Sequence, residues 1–128
     1  MTRQVVSSGA PWEKLYGYRR ALRVGNQVFV AGTAPLGDDG KTFSPGNATA
    51  QARRCFEIAL KALAELGAET RHVVRTRMYV TDIRRADEFG RAHGEVFGAH
   101  PPVATMVEVK GLISPDMLIE IELDAVVS

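Results

Sequence analysis

Hydrophobic and polar positions alternate most cleanly at the C-terminal end of the chain. In "MLIEIELDAVV", Ile119, Ile121, Leu123 and Ala125 fall on one face, while Glu120, Glu122 and Asp124 fall on the other. This period of two predicts a half-buried strand. "HVVRTRMYVT" has the same period, with Val74, Thr76, Met78 and Val80 pointing one way and Val73, Arg75, Arg77 and Tyr79 the other. "RQVVS" and "VATMVEV" are shorter strand candidates, and "RALRVG" and "QVFVAG" flank Gly25-Asn26 as a hairpin with a primed turn. The Gly/Pro/Trp stretch after "RQVVS" and the segment "PLGDDGKTFSPGN" read as loops.

Two stretches carry a helical period instead. Ala52, Phe56, Ala59, Leu63 and Leu66 recur at spacings of three and four between a capping Asn47 or Thr49 and a terminating Gly67. After Asp82, read as the cap of a second helix, Ala86, Phe89, His93, Val96 and Phe97 form an apolar face that ends at Gly98. The predicted order is β-β-β-α-β-α-β-β over one domain spanning 1–128. That order implies an α+β sandwich, a mixed β-sheet with two helices on one face. The other sheet face mixes Tyr79 and Val73 with charges, too apolar for a purely solvated surface, so a homo-oligomer is expected.

Composition narrows the partners. Sixteen basic and fifteen acidic side chains leave a net charge of +1, which offers no electrostatic footprint for nucleic acid and no pull toward an anionic membrane. "YGYRRALR" could stack nucleotides, but with the net charge near zero an exposed edge strand is the preferred reading and nucleic acid is not expected as a partner. The N-terminal residues lack an apolar core of signal-peptide length, and no apolar run reaches membrane-spanning length, so a cytoplasmic location is expected. Cys55, the only cysteine, reads as a small buried hydrophobe. His72, His93 and His100 have no metal-ligand spacing, and His93 reads as a packed helix histidine.

Candidate chemistry lies mainly on strands. Glu120, Glu122 and Asp124 share a face, where closely placed carboxylates can split their pKa values for acid–base work. Arg75 and Arg77 could instead neutralise them from a neighbouring strand. "VGNQVFVAGTAPLG" is glycine-rich without a phosphate-loop spacing, although Gly32, closing its strand, would let a ligand approach the backbone.

Several stretches together resemble the YjgF/RidA family. They are "FVAGTAP", "AQARRCFEIALKAL", "VVRTRMYVTDI", and "PPVATMVEV" followed by "IEIELDAV". The resemblance is essentially full-length and in order. It implies a chorismate-mutase-like fold and a homotrimer with three ligand clefts between subunits. It also implies cofactor-independent hydrolysis of reactive 2-imino or enamine acids to 2-keto acids and ammonia. Other relatives are described as endoribonucleases or translation inhibitors. A non-catalytic small-molecule-binding or regulatory trimer is a further alternative.

Carried over by position, the resemblance makes Tyr18 a cleft-lining aromatic, Gly32 the strand-end glycine facing the ligand, and Glu120 the glutamate that holds the attacking water. The carboxylate-clamping arginine of the family is replaced by Ala104, and the neighbouring position, often cysteine, is Met106. The serine expected before Gly32 is Ala31, and a second-helix asparagine is Arg91. Ala104, Thr105 and Met106 are then expected to line the ligand site. The missing cation would come from Arg19, Arg20 or Arg91, with Arg20 favoured because it follows Tyr18 by two residues.

Overall fold

The computed structural model describes residues 2–128. Six strands form one sheet: β1 (Arg3–Val6), β2 (Ala21–Val24), β3 (Gln27–Thr33), β4 (Val73–Val80), β5 (Val103–Glu108) and β6 (Ile119–Val126). Their spatial order is β1-β2-β3-β6-β4-β5, with β4 and β5 parallel and every other pair antiparallel. Gly25, at φ 61°, turns β2 into β3, the left-handed value a hairpin needs at its first loop residue.

Two main helices cover one face, α2 (Ala48–Glu65) and α3 (Ala86–Phe97). Asn47 accepts a hydrogen bond from Ala50 N at 2.9 Å and so caps α2, while Gly67 ends it at φ 81°. Ala52, Phe56, Ala59 and Leu63 are buried against Val28, Val30, Ile119, Ile121 and Leu123. Phe89 and Phe97 of α3 complete the core, with the Phe97 ring edge-on to Phe56 at 5.6 Å. His93 packs between these rings and shares a 2.8 Å hydrogen bond with Thr76 Oγ1.

Three local expectations need correction. The stretch read as a Gly/Pro/Trp loop contains a short helix, α1 (Pro11–Tyr16), which stops at Gly17, φ 77°. Proline at its start and a left-handed glycine just past its end are its sequence signature. Val73 does not share the Tyr79 face. A bulge between Val73 and Arg75 pairs Val73 with Ala125 in the core and turns Val74 outward. Asp82 caps a 3-10 turn at Ile83–Arg85 that precedes α3, accepting from Arg84 N at 3.0 Å.

The face away from the helices carries Arg75, Arg77, Tyr79, Glu120, Glu122 and Asp124. Around them stand Val5, Phe29, Val103, Val107 and Val126, all exposed and reaching 59% at Val103. Among the described residues no helix is long and apolar enough to cross a membrane.

Candidate active site

The β3–β6 pairing breaks between Val30 and Thr33, where three residues of β3 span two of β6. Both Val30 and Thr33 remain in the core, so the extra residue is accommodated at Ala31-Gly32. The break brings Gly32 against Glu120, and a Cβ added at Gly32 would run into the Glu120 carboxylate. Glycine here serves space rather than conformation, since a side chain would displace the Glu120 carboxylate from its present position.

The three carboxylates of β6 have different surroundings. Glu122 accepts a hydrogen bond from the Tyr79 hydroxyl, which holds that phenol above its usual range. Asp124 pairs with Arg77 at 3.2 Å, although Arg77 is in register with Glu122. Arg75 stands opposite Asp124 in register and is exposed. Charge matching across β4 and β6 therefore holds for Asp124 through a diagonal contact. Among the described residues no side chain donates a hydrogen bond to Glu120. Burial pushes the Glu120 carboxyl above its ordinary value; the Arg20 charge opposes that shift and the Glu122 charge adds to it.

Arg20 lies just before β2 and is 6% exposed. Its Nη1 donates to Gly32 O at 2.9 Å and to Thr33 Oγ1 at 3.3 Å, and its guanidinium lies 5.7 Å from the Tyr18 ring centre. Its Nε is buried without a hydrogen-bond partner, 3.9 Å from the Glu13 carboxylate. Arg20 thus enters the site as a fixed positive charge, with Nη1 engaged by the backbone it supports. Glu13, on α1, is 5% exposed and is held by Ser8 through both its N–H and its hydroxyl. The sequence reading missed Glu13 because the segment carrying it was read as a loop. The Pro11 and Gly17 brackets around "WEKLY" were the available signal.

A groove of about 1290 Å³ collects Tyr18, Arg20, Gly32 and Glu120 with Trp12 and Ile113 along its walls. Ala104, Thr105, Met106 and Arg91 are not among its lining residues. Strand β5 is the far edge of the sheet, three strand steps from β3, or about 14 Å at ordinary strand spacing. Ala104 and Met106 are in register with Thr76 and Met78 and so face the helix side, whereas Thr105 faces the other side with Arg77. Arg91 is exposed on α3 and pairs with Asp87 at 2.7 Å. Arg19 is exposed, its nearest polar partner Ser7 at 3.5 Å. Cys55 is fully buried and donates to Ile119 O at 3.8 Å; burial pushes its thiol well above the ordinary range.

Comparison with known proteins settles the lineage. The family model described as Endoribonuclease L-PSP matches residues 10–127. The chain belongs to the YjgF/RidA family. A crystal structure of a YjgF-family member from Mycobacterium tuberculosis is 47% identical, with a TM-score of 0.88 over 98% of this chain and 100% of that one. An uncharacterized protein of Streptomyces coelicolor is 38% identical over 120 residues, covering 94% of this chain and 89% of its own. The 3-aminoacrylate deaminase RutC of Acinetobacter baylyi is 29% identical over 117 residues, covering 91% of each. The mixed sheet with two helices on one face is the YjgF/RidA architecture, and this family includes enamine deaminases.

Proposed function

We propose that this protein hydrolyses a small reactive imine or enamine to the corresponding carbonyl compound and ammonia. The observation that carries this reading is the Glu120 carboxylate, partly buried, free of side-chain donors and set against the Gly32 backbone inside the groove. A carboxylate in that state is a fitting general base for water. Glu120 takes a proton from water as its oxygen bonds to the C=N carbon. That proton passes to nitrogen to give a carbinolamine; Glu120 then takes the carbinolamine hydroxyl proton and delivers it to the nitrogen as the C–N bond breaks, leaving the carbonyl compound and ammonia. An enamine substrate first takes a proton on carbon and gives one up from nitrogen to become the imine. The relationship to a 3-aminoacrylate deaminase supports the same chemistry.

In this reading the working unit is a homotrimer, and a cleft is completed by Ala104, Thr105 and Met106 of a neighbouring copy. Two features support it. Within one copy these residues lie about 14 Å from Gly32 by strand spacing. The charged sheet face is ringed by exposed Val5, Phe29, Val103 and Val107, which favours burial against another copy. With Ala104 on β5 the neighbour supplies no guanidinium there, so the carboxylate of an imino or enamino acid has to be met by other groups of the cleft. The same absence favours a second reading, a trimer that binds a small molecule without turning it over.

An assay in which an amino-acid dehydratase generates 2-iminopropanoate, run beside one that generates 3-aminoacrylate, separates these readings. Hydrolysis is expected to accelerate with at least one of the two. Glu120→Gln should lower the rate by about 10²–10⁴-fold, the usual contribution of a general base. The rate should fall as pH drops through the raised Glu120 titration, above the ordinary carboxylate range. No acceleration with either substrate would overturn the enzymatic reading in favour of binding alone.

A further inference from the structure

The Glu120 carboxylate feels the charge of the buried Arg20 and yet makes no ion pair with it. A guanidinium beside a partly buried carboxylate ordinarily closes onto it. Here Arg20 donates elsewhere, to Gly32 O and Thr33 Oγ1 through Nη1, while its Nε is turned toward Glu13. Glu13 is itself fixed, because Ser8 donates to its carboxylate from N at 3.2 Å and from the hydroxyl. Its backbone carbonyl accepts from Gly17 N and Tyr18 N, which ties it to the segment leading into Arg20.

We propose that Glu13 is a positioning residue: by drawing on the Arg20 guanidinium from α1, it keeps Arg20 on the backbone of Gly32 and leaves the Glu120 carboxylate unpaired in the groove. The inference rests on the reading of Glu120 as the base. The run of charges is Glu13 negative, Arg20 positive, Glu120 negative. Glu13 offsets much of the Arg20 charge before it reaches Glu120. Without that offset Arg20 would make Glu120 a weaker base and compete with water for its oxygens.

The other groups facing Glu120 do not duplicate this role. Glu122 adds repulsion from the same strand, Tyr79 stands opposite on β4 with its hydroxyl given to Glu122, and Cys55 approaches from α2 as a neutral thiol. None of them contacts Arg20 through a hydrogen bond.

The test reads Glu120 directly. Protein labelled with ¹³C at the glutamate carboxyl carbon is titrated by NMR, and the Glu120 signal is assigned by its loss in Glu120→Gln. Glu13→Gln keeps the shape and one acceptor oxygen for Ser8 while removing the charge, and should lower the Glu120 titration midpoint by about one unit. Arg20→Gln should move it the opposite way. A merely structural role for Glu13 predicts no directed shift. In whichever variants fold, a Glu120 curve coincident with wild type, or shifts of the same sign in both, overturns the proposal. If Glu13→Gln does not fold, Arg20→Gln beside the charge-conserving Glu13→Asp decides alone. A rise in the first with little change in the second supports the proposal, and no rise overturns it. Because this titration needs no substrate, absence of deaminase activity in the wild-type protein would refute the functional reading without touching the result. If activity is present, Glu13→Gln should reduce kcat about tenfold with KM moving far less.

Discussion

Gly32 and Glu120 are defined by each other. The glycine leaves the space that the carboxylate occupies, at a break in the β3–β6 pairing. Gly32→Ala is expected to displace the Glu120 side chain, which is flexible at its far end, rather than to unfold the protein. Activity should fall at least tenfold while the thermal midpoint changes little; a large loss of stability with normal specific activity would contradict this account. Both residues could be picked out of the sequence, as could Tyr18, because strand ends and a family motif mark them. Glu13 could not be weighed there. A buried carboxylate looks like any surface glutamate until the helix carrying it and its Ser8 donors are in place.

At the scale of elements, α2 and α3 follow from their apolar stripes and caps, and β6 follows from its period of two. The bulge at Val74 has no such local mark, since either reading of "HVVRTRMYVT" gives a plausible alternation. The pairing with Ala125 on β6 decides it. The packed reading of His93 carries a pH consequence. Burial holds this imidazole below its ordinary value of 6.5, and its Nε2 shares a hydrogen bond with Thr76. The unfolded chain therefore binds the proton more readily, so the stability contribution is present above 6.5 and is lost as pH falls below it. Thermal unfolding followed from pH 7.5 to 5 should show the midpoint dropping at about that point, and His93→Gln should flatten the drop. Parallel curves for the two proteins would contradict this.

Across the whole molecule, the proposed trimer has a consequence that single-copy arguments lack. If each cleft takes Glu120 from one copy and β5 from the next, two inactive variants can complement one another. Glu120→Gln removes the base, and Ala104→Glu fills the β5 side with a negative charge. Mixed and reassembled in equal amounts, they should regain about a quarter of wild-type activity, because a quarter of randomly formed clefts draw an intact side from each. No recovery in assemblies confirmed as mixed would place the whole site within one copy.

Hydrophobic period and turn residues were sufficient for the order of the strands and the two main helices, the α+β class and the buried faces of those helices, and the resemblance of several motifs was sufficient for the family. These are properties of neighbours in the chain, and the physics of amphipathic burial acts on them locally. The tertiary structure alone decided which carboxylate is left without a donor, where the β3 pairing breaks, and that β5 lies across the sheet from Gly32. It also decided that Arg20 is held between Glu13 and the Gly32 backbone. Those outcomes depend on contacts between residues far apart in sequence, where the cost of burying a charge is set by what the fold brings beside it.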